Sequence, residues 1–131
     1  MTLEEIPQEM NDLKNFGMIV NKYLKSNGIG LVGIKNNCLA LAGAGMGQPN
    51  RLDSLKMLAA PRAKELGYNL EEVLLVSDAF FPFRDSIDVC AEMNIKYILQ
   101  PGGSIRDEEV ISACNENKIA MEFTATRHFR H

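Results

Sequence analysis

The fold is decided by residues 73–100, which read VLLVSDAFFPFRDSIDVCAEMNIKYILQ. A short, continuously apolar run at residues 73–76 predicts a buried strand, and residues 97–99 predict a second one. Between them, a loop leads into a helix at about residues 86–93. A strand, a helix and another strand in this order indicate two parallel strands joined by a right-handed crossover.

The residues before this unit predict a helix and then a β-hairpin. Apolar residues recur at helical spacing from about residue 9 to residue 25. Residues 29–35 and 38–42 resemble strands, and Asn36 and Asn37 between them suit a tight turn, because asparagine tolerates positive φ. The hairpin therefore adds an antiparallel pair to the sheet.

A glycine-rich loop is predicted at residues 43–47, followed by a helix over residues 49–66. Backbone amides at the start of a helix bind phosphate groups, but the spacing Gly-x-Gly-x-Gly is not the dinucleotide-binding pattern. A tight turn that packs a strand against a helix explains the glycines equally well. Pro61 is expected to kink or restart the helix, and Gly67 to end it.

The alternation continues to the end of the chain. Residues 107–117 predict a helix, and residues 119–123 predict a last strand. Strands that alternate with helices place helices on both faces of a sheet. We therefore expect an α/β fold with three layers, α/β/α, around a mixed, mostly parallel sheet, and one domain over residues 1–131.

Composition excludes several classes of protein. The chain has 131 residues and a net charge of −3, which argues against binding nucleic acid through a basic surface. No apolar run approaches the ~20 residues of a membrane helix, and the acidic first nine residues are not a secretory signal. Three cysteines lie in apolar segments, and they predict buried thiols in a reducing cytoplasm, with neither disulfide nor zinc: Cys38, Cys90 and Cys114.

One loop carries more aromatic residues than a turn requires. Residues 77–85 place three phenylalanines between Asp78 and Asp85, beyond the carboxyl end of a predicted strand. Ligands of open α/β sheets bind at that position. Aromatic faces beside carboxylates suit a planar heterocycle with amino groups, whereas a small satellite core under the loop is the alternative.

Two further segments follow predicted strands. In residues 101–107, two adjacent glycines allow an anion to approach, although Ser104 as a helix cap explains this pattern more simply. The tail, residues 124–131, holds both histidines of the chain. Arg127 suits a bidentate clamp on phosphate or carboxylate, and His131 an acid or base, whereas a frayed basic terminus is the alternative.

Three motifs occur in a fixed order in this chain: SDAFFPF at 77–83, QPGGSIRDEEV at 100–110, and RHFRH at 127–131. With KSN at 25–27, and GAG and NRLDS at 43–54, they resemble the C-terminal part of a bifunctional purine-biosynthesis enzyme family. That family has AICAR transformylase and IMP cyclohydrolase activities. The resemblance covers residue 12 to the end.

The resemblance implies a fold, a reaction and a set of site residues. The fold is a cytidine-deaminase-like unit without the deaminase zinc, and the reaction moves a formyl group from 10-formyltetrahydrofolate to AICAR. The site forms between two subunits, so a homo-oligomer is implied. Asp78 resembles a ligand of a structural potassium ion, and His131 resembles a residue that assists catalysis. The residues that resemble the lining of the AICAR site are Asn27, Phe80, Asp85, Arg127, Phe129 and His131.

The chain also departs from this family. The family's catalytic Lys-His pair and its cyclohydrolase domain lie in segments that this sequence does not contain. Met18 and Ile19 stand where the family has a Trp-Lys pair, and the glycine segment is longer than usual. The chain alone is therefore expected to be inactive as a formyltransferase.

Two functions stay open on the sequence. The first is the AICAR-binding part of a formyltransferase, completed by a partner chain that supplies the Lys-His pair. The second is a non-catalytic module that binds AICAR or a related purine nucleotide. A small dinucleotide-binding protein, the weakest reading, depends on residues 43–47 alone. In each case we expect a cytoplasmic protein with no membrane or nucleic-acid partner.

Overall fold

A computed structural model describes residues 5–21, 29–35, 38–45, 55, 59–77, 84–101 and 107–123. A single 3-10 turn, Gln8–Met10, precedes the first helix. The elements, in chain order, are α1 (Asn11–Asn21), β1 (Ile29–Lys35), β2 (Cys38–Gly45), α2 (Ala60–Glu65), β3 (Leu74–Ser77), α3 (Arg84–Glu92), β4 (Tyr97–Gln100), α4 (Asp107–Asn117) and β5 (Ala120–Phe123).

The five strands form one mixed sheet in the order β2-β1-β3-β4-β5. Strand β1 is antiparallel to both of its neighbours, β2 and β3, whereas β3, β4 and β5 pair in parallel. Four strands therefore point the same way and only β1 is reversed. This confirms the mixed, mostly parallel sheet expected from the sequence; the cytidine-deaminase-like label and the single domain stay predictions.

Helix α1 covers one face of the sheet. Its apolar side packs on alternate strand residues, as the helical spacing predicts. Gly17 allows this helix to lie close, because a Cβ at that position would come 2.9 Å from Cγ1 of Val76. Lys14 also ties the helix to the last strand, with its Nζ 2.8 Å from Oε1 of Glu122. The buried residues of this face are Ile6, Met10, Leu13, Val32, Leu74, Val76, Leu99 and Ala120.

Helices α2, α3 and α4 contribute to the larger core on the opposite face. That core combines strand residues such as Leu75 and Ile98 with small helical residues such as Ala63 and Ala113, all of them at most 1% exposed. Small side chains allow the helices to approach the sheet and each other closely. Helices on both faces complete the three layers predicted from the sequence.

The glycine segment is a strand and not a loop, which corrects the sequence analysis. Residues 43–45 belong to β2, where Gly43 pairs with Leu31 and Gly45 with Ile29. A Cβ on Gly43 would overlap the carbonyl oxygen of Ala59, just before α2. This glycine therefore serves close contact between a strand and a helix, and not the tight turn that was the alternative to a phosphate-binding loop; residues 46–50 lie outside the described ranges.

Helices α2, α3 and α4 end in the same way. Each is followed by a residue with positive φ: Gly67 at 87°, Asn94 at 65° and Lys118 at 57°. The next residue then donates its backbone N–H to a carbonyl five positions back, as from Ile95 to Cys90 at 3.0 Å and from Ile119 to Cys114 at 2.9 Å. This closing bond satisfies free carbonyls at the helix end and directs the chain back toward the sheet. Gly67 ends α2 as predicted, and Pro61 lies in its first turn.

Candidate site at the carboxyl edge of the sheet

The carboxyl ends of four strands lie at the same edge of the sheet. The register aligns a row of residues across the sheet, which consists of Ala44, Gly30, Val76, Leu99 and Glu122. Beyond this row, β2, β3, β4 and β5 reach their carboxyl ends, and the reversed β1 has its amino end. We call this side the carboxyl edge.

The segments with the predicted site residues join the sheet at the carboxyl edge. Asn27 precedes β1 by two positions, Asp78 directly follows β3, and Phe80 comes two positions later. Residues 102–106 follow β4 and Pro101, and the tail with Arg127 follows β5. The strand directions thus agree with the expected convergence of these segments at one side of the sheet.

The predicted site residues themselves stay predictions. Asn27, Asp78 and Phe80 lie outside the described ranges, as do three residues of the tail, Arg127, Phe129 and His131. Asp85 is the second residue of α3, and only its backbone is described. The structure therefore locates the strand ends that lead to these residues.

Three buried polar residues at the carboxyl edge were not among the predicted site residues. Ser77 and Gln100, both 0% exposed, are the last residues of the neighbouring strands β3 and β4. Ser86, 6% exposed, lies in the first turn of α3, which follows β3. No other polar residue is buried within the described ranges. A polar group is costly to bury without a partner, so their clustering marks this edge as different from the apolar core.

Gln100 is held in place by its neighbour on β5. Its Nε2 donates to Sδ of Met121 at 2.9 Å. Because Val76 pairs with Leu99, the following residues, Ser77 and Gln100, lie side by side on adjacent strands. Hydroxyl and amide groups carry no net charge, so they suit orientation of a polar ligand by hydrogen bonds and do not supply an acid or base at neutral pH. The signal in the sequence was a polar residue that ends an apolar strand.

The two buried cysteines, Cys90 and Cys114, are not candidates for nucleophilic catalysis. Burial raises the pKa of Cys90 from 9.0 to about 12, with a further contribution from Cys114, and burial also raises the pKa of Cys114 to about 12. Both groups therefore stay protonated thiols near neutral pH, whereas the nucleophilic form of cysteine is the thiolate. The prediction of buried thiols is correct for these two and wrong for Cys38, which is exposed at the first position of β2, an outermost strand.

Two other features of the described residues bear on ligands. No group of three or more His, Cys, Asp or Glu side chains is placed to hold a metal ion within these ranges. Surface hollows around Tyr68 are lined by residues such as Gly33, Asn69 and Glu72. They lie at the side of the sheet opposite to the carboxyl edge, so they are separate from the candidate site. In the same ranges, no helix is long and apolar enough to cross a membrane.

Together, the sheet and its polar carboxyl edge define a class, the three-layer α/β/α proteins whose ligand sites lie beyond the strand ends. No family model matches the chain. It is 50% identical over 128 residues to the bifunctional purine biosynthesis protein PurH of Aquifex aeolicus. These 128 residues are 98% of this chain and 24% of that protein. The PurH protein of Persephonella marina is also 50% identical over 128 residues, with the same coverage of both proteins. For that of Acidithiobacillus ferrooxidans the identity is 51% over 124 residues.

The chain is therefore homologous to one portion of the bifunctional purine biosynthesis proteins, and the resemblance seen in the sequence is confirmed. It spans about a quarter of the length of these relatives. The matched portion includes the strands and helices that form the carboxyl edge.

Proposed function

We propose that this chain acts in purine-nucleotide biosynthesis as the AICAR-binding part of a formyltransferase. The observation that carries the proposal is the 50% identity over 98% of the chain to a protein named for purine biosynthesis. The buried polar residues Ser77, Ser86 and Gln100 support a ligand site at the carboxyl edge, where the family-like motifs join the sheet.

In this proposal the carboxamide-imidazole of AICAR stacks on Phe80 and donates hydrogen bonds to Asp85. Arg127 forms a bidentate contact with the phosphate, and Asn27 and Phe129 complete the site. Asp78 contributes to a potassium site beside it. Hard cations of this kind take oxygen ligands, which suits the carboxylate at this position.

The reaction is acyl transfer from 10-formyltetrahydrofolate to the amino group of AICAR, without a covalent intermediate. Binding orients the weakly nucleophilic amine toward the formyl donor. The acid–base work belongs to the family's Lys-His pair, which lies outside residues 1–131, and His131 assists. The chain works in the cytoplasm as a homo-oligomer or with a partner chain that carries that pair.

Calorimetric titration of the purified chain with AICAR monophosphate tests this site. We expect saturable binding that AMP does not reproduce. Arg127→Ala is expected to weaken binding about tenfold or more, since a hydrogen bond to a charged group contributes about 1.5–3 kcal/mol. Phe80→Ala is expected to weaken binding by a smaller factor, about three- to tenfold, since aromatic stacking contributes about 0.5–1.5 kcal/mol beyond the buried area. Arg62→Ala is the matched control, because Arg62 is exposed on α2 and pairs with Glu65 at 3.2 Å.

The outcomes separate the two functions that the sequence left open. Unchanged affinity in both site variants would refute the residue assignment, and no binding by the wild-type chain would refute a site carried by this chain. Formyl transfer by the chain alone would contradict an external Lys-His pair. If a partner chain with that pair is added and AICAR still binds without turnover, the non-catalytic module is the better description.

A further inference from the structure

Gln100 is a fully buried amide at the end of a strand. It is the last residue of β4 and 0% exposed, and Pro101 and the two glycines at 102–103 follow it directly. Glutamine lies mostly at protein surfaces, and an amide is costly to bury unless its hydrogen bonds are made. Its contacts therefore bear on how the carboxyl edge is built.

The side chain of Gln100 lies on the face of the sheet that carries the larger core. Ile98, two positions earlier, and its partner Met121 on β5 both belong to that core. Side chains alternate along a strand, so Gln100 points to the same face as Ile98. On the neighbouring strand β3, Leu75 belongs to the same core, which places Ser77 on this face as well. Two polar side chains thus lie side by side where the apolar core ends.

The sulfur of Met121 determines which way the amide of Gln100 faces. Nε2 of Gln100 lies 2.9 Å from Sδ of Met121. A thioether sulfur accepts hydrogen bonds and has none to donate, so the NH2 group, and not the carbonyl oxygen, faces Met121. The carbonyl oxygen of Gln100 therefore serves groups other than Met121. The orientation of the amide is set by a neighbour that offers no alternative.

Met121 is itself held in place. It is 1% exposed, and its backbone pairs with Ile98. Sγ of Cys114 on α4 lies 3.8 Å from the same sulfur, and burial raises the pKa of this thiol to about 12, so it stays a donor at neutral pH. Strand pairing, core packing and two hydrogen-bond donors thus restrain the acceptor that orients Gln100.

Two of the motif segments begin beside this restrained amide. Asp78 directly follows Ser77, and Pro101 directly follows Gln100. Between β3 and β4 the paired residues end at Val76 and Leu99, one position before the end of each strand. The first residues of a loop take their direction from the strand end to which they are joined. A side chain that fixes the strand ends therefore also directs the segments beyond them.

We propose that Gln100 is a positioning residue of the nucleotide site and that it acts through the sulfur of Met121. The oriented amide holds the ends of β3 and β4, and with them the segments that carry Phe80 and the glycines at 102–103. Because Gln100 is 0% exposed, its effect on the nucleotide is indirect. This inference rests on the proposed function and adds a residue that is not among those implied by the resemblance.

Calorimetric titration of single and double variants with AICAR monophosphate tests this role. Gln100→Leu removes the amide, and Met121→Leu removes its acceptor at nearly the same volume. Each is expected to raise the dissociation constant about three- to tenfold, the range that one neutral hydrogen bond contributes. If the two residues act through one contact, the double variant binds as weakly as Gln100→Leu alone, whereas independent effects multiply.

Ile98→Val is the matched control, because Ile98 is equally buried in β4 and points to the same face. Loss of one methyl group is expected to lower the stability toward urea and to leave the dissociation constant within about twofold of the wild-type value. Urea unfolding of every variant verifies that it is folded during the titration. The two measurements separate a loss of stability from a loss of affinity.

The outcomes distinguish this inference from the proposed function. Wild-type affinity in both Gln100→Leu and Met121→Leu would overturn the role of Gln100 and leave the proposed function intact. Multiplied effects in the double variant would overturn the action through Met121. An equal loss of affinity in Ile98→Val would show that Gln100 acts only as part of the core. Absence of binding by the wild-type chain would refute the proposed function, and the role of Gln100 with it.

Discussion

The two halves of the sheet differ in how their strands are covered. In β3 all four residues are buried, whereas β2 exposes Cys38, Leu39 and Leu41. The parallel half has helices on both faces, so its strands are continuously apolar, as parallel strands usually are. In the hairpin half, small and large residues alternate over residues 38–42 of β2, where Leu39 and Leu41 are exposed and Ala42 is buried. A continuous apolar pattern thus marks the buried strand β3, and a pattern of small and large residues marks the partly exposed strand β2.

The largest expected effect concerns matched leucines in the two halves. Leu75 in β3 is 0% exposed and Leu39 in β2 is 40% exposed. Leu75→Ala leaves a cavity in the core, and we expect it to lower the free energy of unfolding by about 3 kcal/mol. Leu39→Ala is expected to cost less than about 0.5 kcal/mol. Urea unfolding at low protein concentration measures both, and equal losses would contradict the difference between the halves.

A smaller effect is expected where the hairpin half is tightly packed. Gly43→Ala places a Cβ onto the backbone carbonyl of Ala59, which cannot move without shifting the residues before α2. We expect a loss of about 2 kcal/mol in the free energy of unfolding. Gly30→Ala is the control, since its nearest neighbour is a side-chain atom, Cγ2 of Val76 at 3.2 Å. A cost below about 1 kcal/mol is expected there, and the reverse order would refute the role of Gly43.

The smallest effect is a dependence of stability on pH. The folded-state pKa of Cys90 and of Cys114 is about 12, above the ordinary value of 9.0 that applies when the chain is unfolded. Their stabilising contribution is therefore complete below pH 9 and is lost as the pH rises from 9 to 12. At pH 10 we expect a loss of about 1 kcal/mol for each thiol.

Thermal or urea unfolding at pH 8 and pH 10 checks this dependence. Cys90→Ala combined with Cys114→Ala is expected to show a smaller decrease between the two pH values than the wild-type chain. Cys38→Ala removes the exposed thiol of the hairpin half and serves as the control that follows the wild type. An equal decrease in all three proteins would show that other groups cause it.

Local patterns were sufficient for most of the fold. The periodicity of apolar residues located α4 at residues 107–117 and β1 at residues 29–35, and both agree with the structure. The strand at 38–42 was placed correctly but ended too early. A run of glycines usually indicates a turn, whereas Gly43 is required by contact with Ala59, a residue 16 positions later. Contacts of this kind do not appear in a local pattern.

The edge of the sheet at which the motif segments join was predictable from the sequence, whereas the buried polar residues there were not. The exposure of Cys38 depends on how the sheet and its helices are assembled, and an apolar sequence pattern does not contain that information. Ser77, Ser86 and Gln100 lack charge and aromatic rings, and in the sequence they resemble ordinary residues at the ends of elements. Their burial depends on neighbouring strands and helices. The motif residues, by contrast, could be recognised in the sequence by their unusual composition.

The ion pair between Lys14 and Glu122 joins two residues that are 108 positions apart in the chain. Leu13 shares its core with Ala120, so α1 packs partly on the last strand. During synthesis on the ribosome, α1 emerges before β5 and lacks these contacts until β5 has left the exit tunnel. The part of α1 that packs on β5 therefore stays exposed until β5 has emerged. The nascent chain is expected to need protection from aggregation over that interval.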